Sequence, residues 1–378
     1  MGKVIPENEL TVAKKILVVH PRLDVIGGAE VVLLKVLEVL IERKQDVFLL
    51  GELPMGSIFD SLPLSCIKQI PCDSEIASEM AFKPKRLQAY RTMFNRSKLK
   101  GRMCRKVAIK FDLEINTQDL KYFVEIGKKR VVYVHFPEIF ARLQKPDLKH
   151  RWFWRLYYWP IAFQFKRSVK KNDLLMCNSL YTQRAITDYW GREAEVVYPP
   201  VDVKDFTSVE KETLVVSVGR FTPEKNFELV AEVARQLPDV KFVIAGRKGL
   251  VDSYFDKIVA LKPANLDLLV DVTRKDLSVL LGRAKVYLHG MVGEHFGISV
   301  AEAMAAGCVP VVHSNGGPKE IVGGYGFLYN NVEECIRAIE AALQSEICPN
   351  DIVERAKMFN SDIFKRNFIE VLEKNGFL

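Results

Sequence analysis

Glu294 and Glu302 are separated by seven residues, and Gly297 lies between them. If a helix begins near Gly297, the first acid precedes it and the second sits inside its first turns. A carboxylate accepts two hydrogen bonds from vicinal hydroxyls, so Glu302 suits a ribose and Glu294 a second polyol. Gly297 offers bare backbone N–H groups at the positive end of a helix dipole, a setting for a phosphate. Upstream, Arg220 and Lys225 lie five positions apart on a glycine loop. Such a pair can bracket a diphosphate, the guanidinium as a fork and the ammonium as a point charge. The plain alternatives are a solvated helix acid, a simple turn and two solvated loop cations.

These side chains need particular elements to hold them. Residues 298–306 are good helix formers, and Gly307 falls where a helix stops. A buried-strand pattern follows over 308–312, then a turn with Gly316 and Gly317. Loop, helix, strand, loop brings both loops to one edge of a parallel sheet, where α/β sheets bind ligands. Short apolar runs at 15–20, 46–50, 129–135, 173–177, 195–198, 214–218, 240–245, 265–270 and 285–289 read as further strands. Residues 29–43 read as a helix with Val32, Leu33, Val36, Leu37 and Leu40 on one face. Strand, Gly27-Gly28, helix is the entry of a Rossmann-like unit, although G-G-A-E is not the dinucleotide fingerprint and the glycines also fit a tight turn. His135 ends the strand at 129–135, where it either faces a crevice or serves the core. Tyr198-Pro199-Pro200 breaks helix and stiffens the chain, marking a domain boundary.

The chain has 378 residues, enough for two domains, and its 48% hydrophobic and 27% charged residues describe a folded globular protein. Seven cysteines at scattered spacings, with no C-x-x-C, argue for a reducing compartment and against a structural zinc site. The first ten residues are polar and no apolar run approaches the roughly 20 residues that span a bilayer, so neither a signal peptide nor a membrane helix is expected. The net charge of +8 is concentrated: residues 83–110 hold eleven Lys and Arg and no acid, and the remainder holds 44 basic against 47 acidic residues. Residues 149–171 add three of the four tryptophans among further cations. Aromatic side chains with flanking Lys and Arg favour an anionic membrane surface; a packed aromatic helix is the alternative. Nucleic acid is not expected, since no reader motif is present.

The string G-E-H-F-G-I-S-V-A-E-A-M-A-A-G-C-V-P-V-V-H-S-N-G-G-P at 293–318 resembles the signature of retaining glycosyltransferase family 4. E-H-F-G with H-S-N-G-G-P is similar to the GDP-mannose-dependent α-1,2-mannosyltransferases that extend lipid-linked oligosaccharides. The resemblance implies an α/β fold of the GT-B type, two Rossmann-like domains facing a central cleft. It divides the chain into 1–200 for the acceptor, 201–361 for the sugar nucleotide, and 362–378 as a helix crossing back. By resemblance, His135 and Glu294 meet the donor sugar as catalytic residues. Arg220, Lys225, Phe296, Gly297 and Ile298 hold the diphosphate, and Glu302 holds the ribose. Gly27 and Gly28 form the acceptor and phosphate loop, and the strand ends at Arg247 and Val272 frame the base.

The expected reaction transfers a sugar, mannose from GDP-mannose, to a polyprenyl- or dolichyl-linked oligosaccharide at the cytoplasmic membrane face, with retention implied by resemblance. A UDP-sugar is the other donor considered. No D-x-D motif occurs, and two side-chain cations can replace a metal, so no metal and no cofactor beyond the nucleotide-sugar co-substrate is expected. A glycosidase also uses paired carboxylates, but it has no diphosphate to hold. A non-catalytic sugar-nucleotide sensor is the rival from another class.

Overall fold

The computed structural model describes residues 13–21, 23, 27–70, 109–118, 124–137, 151–248 and 252–378. Most of the basic stretch at 83–110 lies outside the described residues. The chain divides into two compact units. The first comprises residues 1–177, 186–195 and 367–378; the second comprises 178–185 and 196–366.

The first unit is built on β1 (Lys15–Val19), β2 (Asp46–Leu50), β3 (Ile67–Ile70), β4 (Leu113–Asn116), β5 (Lys129–Val134), β6 (Leu174–Cys177) and β7 (Glu195–Val196). Their order is β3-β2-β1-β4-β5-β6-β7, and the pairings from β3 through β6 are parallel. Parallel strands are covered on both faces and so read as continuous apolar runs; Ile16 to Val19 are fully buried. Helix α1 (Gly28–Glu42) buries Val32, Leu33, Val36, Leu37 and Leu40. Helix α2 (Arg151–Ser168) leads into β6, and α3 (Leu180–Trp190) follows it.

β4 hides a carboxylate in this core. Glu114 is fully buried and accepts N–H bonds from Glu125, Ile126 and Gly127 at 2.7–3.0 Å. Burial pushes its pKa up against those three bonds. Arg130 on β5 makes a buried two-point pair with Asp173, both bonds 2.8 Å. These groups frame the sheet.

The second unit has β8 (Glu212–Val218), β9 (Lys241–Gly246), β10 (Leu266–Val270), β11 (Ala284–His289), β12 (Val309–His313) and β13 (Phe327–Tyr329), ordered β10-β9-β8-β11-β12-β13 with parallel pairings. Helices α4 (Phe227–Gln236), α5 (Asp252–Leu261), α6 (Arg274–Arg283), α7 (Ile298–Ala305), α8 (Pro318–Val322), α9 (Val332–Gln344) and α10 (Pro349–Lys357) connect and cover it, and α11 (Ser361–Lys374) closes the chain. α7 buries Val300, Ala301, Glu302, Ala303, Met304 and Ala305. Its small residues let it lie close on the sheet. The half-buried amine of Lys211 donates to the carbonyls of Leu281, Gly282 and Ala306, tying down the carboxyl ends of α6 and α7.

In each sheet the strand order reverses beside the first strand, between β1 and β4 and between β8 and β11. Loops leaving two neighbouring strands at such a point diverge to opposite sides, and the gap between them is where open α/β sheets take ligands.

Candidate functional site

In the second unit, the loops leaving β8 and β11 carry the residues singled out by spacing. Lys225 leaves β8 and Glu294 leaves β11; Nζ and Oε2 meet at 2.6 Å. The second carboxylate oxygen accepts the His295 N–H at 3.1 Å. Burial raises the Glu294 pKa, but His289 and Lys225 outweigh it and hold the group well below the carboxylate range. The Lys225 stem lies against Gly219, where a Cβ would approach it to 3.2 Å. Lys225 Nζ also stands 3.5 Å from Met291 Sδ. Arg220 is on the same loop with its side chain exposed.

Gly297 begins α7 at φ +103°, a conformation costly for a residue with a Cβ. Its carbonyl accepts from Val300 and Ala301. The N–H groups of Ile298 and Ser299 in this first turn have no acceptor within the helix, and they point along the dipole's positive end. Phe296 is buried against Tyr198 and Phe359, which anchors the loop just before these amides. The turn at Gly316-Gly317 packs on the same loop. Gly317 N–H donates to Glu294 O at 2.8 Å, and a Cβ at 317 would lie 2.1 Å from His295 O.

Glu302 is buried on α7, and its carboxylate is held by Arg274, Nη1 to Oε1 at 2.5 Å. Burial raises its pKa although Arg274 pulls the other way. Arg274 also reaches Asp205 at 3.2 Å and covers the Phe206 ring at 4.7 Å. The strand ends at Arg247 and Val272 belong to the same edge. Arg247 O accepts the Phe221 N–H, and the residue before Val272, Asp271, donates to Gly246 O at 2.8 Å.

The first unit gathers its own groups at the β1/β4 reversal. His20, at the end of β1, has Nδ1 2.9 Å from Thr117 Oγ1 and Nε2 3.4 Å from Glu30 Oε1. A carboxylate only accepts, so Nε2 carries the hydrogen and Nδ1 accepts from the threonine hydroxyl. Glu30 reaches back to the Gly27 N–H at 2.8 Å, closing the turn that starts α1. Gly27 and Gly28 themselves are exposed. His135 follows β5, is half-buried, and donates Nε2–H to Thr117 O at 2.9 Å.

The fold therefore joins Lys225 to Glu294 directly and sets Gly297, Ile298 and Phe296 on the same loop and helix start. It places His135, Gly27 and Gly28 in the first unit. Spacing missed Arg274 and His289. Both stand at the carboxyl edge, Arg274 opening α6 and His289 ending β11, and that position was the available signal. Among the described residues no group of three or more His, Cys, Asp or Glu is arranged to hold a metal ion.

Residues 201–359 match the family model described as glycosyl transferases group 1. Over 261 residues the chain is 31% identical to the GDP-Man:Man(3)GlcNAc(2)-PP-Dol alpha-1,2-mannosyltransferase of Caenorhabditis elegans, covering 56% of this chain and 56% of that protein. Over 242 residues it is 32% identical to the Mus musculus protein of the same name, covering 53% and 49% respectively. The chain spans about half the length of the curated relatives it matches. Among solved structures, Anabaena Alr3699/HepE in complex with UDP-glucose aligns with a TM-score of 0.68 at 17% identity, covering 96% of this chain and 100% of that one. Sucrose-phosphate synthase from Thermosynechococcus elongatus aligns with a TM-score of 0.74 at 15% identity, covering 96% and 98%. The likenesses to solved structures establish the fold: two parallel-sheet, Rossmann-like α/β units of the GT-B class.

Proposed function

We propose that this chain, whose second unit carries a group 1 glycosyltransferase domain, is a retaining mannosyltransferase. It would move mannose from GDP-mannose in α-1,2 linkage to a lipid-linked oligosaccharide. The observation that carries the reading is the Lys225–Glu294 pair at the β8/β11 reversal, set beside the amino end of α7. Arg220, Lys225 and the amides of Ile298 and Ser299 would neutralise the leaving diphosphate as its charge develops. Glu294 would orient the sugar, and Glu302 the ribose. His135 takes the donor-sugar role that the resemblance gives it. GDP-mannose rests on the names of the curated relatives.

A donor screen tests this reading directly. Nucleoside diphosphate release is measured with each common activated sugar, with and without a polyprenyl-linked acceptor. Release from GDP-mannose that rises with acceptor is expected. Release from a UDP-sugar would replace the donor, and binding without release would make the protein a sensor. We propose further that the transfer needs no metal. EDTA should leave the rate unchanged, and a loss restored by magnesium or manganese would overturn this.

The acceptor side is proposed to work at the cytoplasmic face of a membrane. No helix of the described residues is long and apolar enough to cross one. On α2, Trp152 and Leu156 are each 71% exposed, Trp159 63% and Phe163 47%, at a spacing that puts them on one face. Lys166, Arg167, Lys170 and Lys171, all exposed, follow on the same stretch. An aromatic stripe beside cations suits an anionic interface.

A further inference from the structure

β11 ends on His289, a residue with no part in the reading above. The residue is 2% exposed, at the root of the loop that carries Glu294. One ring nitrogen, Nδ1, stands 3.5 Å from the Tyr287 hydroxyl, which is itself 2.8 Å from Ser299 Oγ. The backbone is fixed as well, because Tyr329 Oη donates to His289 O at 2.8 Å. The other nitrogen, Nε2, has no hydrogen-bond partner among the described residues. It faces Glu294 Oε2 at 3.6 Å, slightly beyond hydrogen-bond length. Buried polar nitrogens are nearly always satisfied, so one left short of a carboxylate in a candidate site calls for a physical account.

Glu294 Oε2 is where Lys225 also lands, at 2.6 Å. In the proposed reaction, Lys225 must spend its charge on a diphosphate. An ammonium has three hydrogens and can bridge both anions, but its attraction for the carboxylate is then shared. A buried carboxylate that loses part of its cation needs another donor, or it takes up a proton. His289 stands where such a donor is needed, and a closure of a few tenths of an ångström completes the bond. Burial and the neighbouring Lys225 hold the imidazole below its ordinary value, against the pull of Glu294. The ring is therefore a neutral donor, and it does not compete with Lys225 for the phosphates.

We propose that His289 is a positioning residue for Glu294: its Nε2–H takes over the carboxylate and keeps it aimed at the donor sugar as Lys225 turns to the diphosphate. This deepens the reading of the same site and rests on it.

Two measurements test the proposal. In the wild-type protein, nitrogen-15 NMR of the histidines should show His289 protonated on Nε2 at neutral pH; protonation on Nδ1 overturns the proposal whether or not the enzyme turns over any donor. In kinetics, His289→Leu should lower kcat about 10-fold, the scale of one hydrogen bond to a charged group, with donor KM moving by less than about threefold. His289→Gln, whose amide reaches the Nε2 position, should recover most of the rate. In a Glu294→Gln background, His289→Leu should cost little more, because the two residues act through one contact. Equal losses in both backgrounds, or His289→Gln as slow as His289→Leu, would mean a core histidine only. If the wild-type protein turns over no nucleotide sugar, the mannosyltransferase reading fails while the NMR result still judges the contact.

Discussion

Both sheets put a histidine and a glutamate at the point where strand order reverses, and the two pairs are built differently. In the first unit His20 is saturated, with Thr117 on one nitrogen and Glu30 on the other, and Glu30 also closes the Gly27 turn. In the second unit the carboxylate has a lysine, and the histidine nitrogen facing it has no hydrogen-bond partner among the described residues. The first arrangement locks a loop. The second concentrates charge beside a helix start, where a ligand's phosphates can be exchanged for a carboxylate. The first unit places a two-point ion pair, Arg130–Asp173, deep in the frame; the second places Lys225–Glu294 and Arg274–Glu302 at the sheet's carboxyl edge.

That contrast can be broken by mutation. Asp173→Ala removes the two-point partner of the buried Arg130 guanidinium and should destabilise the first unit by about 3–5 kcal/mol, read as an earlier transition in urea. Lys225→Ala removes a half-buried cation and should cost less stability than Asp173→Ala, while nucleoside diphosphate release falls about 10²–10³-fold. If Lys225→Ala costs as much stability as Asp173→Ala, the distinction between frame and site collapses. Glu302→Gln should raise donor KM by roughly 10-fold, the loss of a charge-assisted bond, with a smaller effect on kcat. An unchanged KM would remove the ribose role.

The two glutamates of the second unit should also titrate in opposite senses. Glu294 is held below its ordinary 4.5, so its contribution to stability is present above that pH and fades as pH falls through the folded value. Glu302 is held above 4.5, so its contribution is present in acid and lost as pH rises through the folded value. Stability measured against pH should therefore lose part of its acid limb in Glu294→Gln, and Glu302→Gln should be no less stable than wild type at neutral pH. Smallest per residue is the membrane effect. Each exposed cation is worth about 1 kcal/mol near an anionic surface. Trp152→Ser with Trp159→Ser should weaken sedimentation with anionic vesicles, and Lys170→Gln with Lys171→Gln should weaken it further; full binding by the four-fold variant would end the proposal.

Much of the fold was legible because parallel strands are unbroken apolar runs. Residues 46–50 match β2, and 298–306 contain α7 with Gly307 just past its end at φ +75°. β4 was not legible, because L-E-I-N carries an acid and an amide that only the surrounding backbone satisfies. β3 was missed because its pattern I-K-Q-I at the sheet edge is half polar. In the site, the residue types were readable and their partners were not.

By itself the sequence determined which chemistry is possible: helix propensity and glycine fix the start of α7, and the apolar runs mark most of the strands. Only the tertiary structure decided that Lys225, 69 positions before Glu294, is its ion-pair partner, and that Arg274, 28 before Glu302, is the other. The physical reason is that strand order, set by packing of whole elements, chooses which loops become neighbours, and no local pattern records that choice.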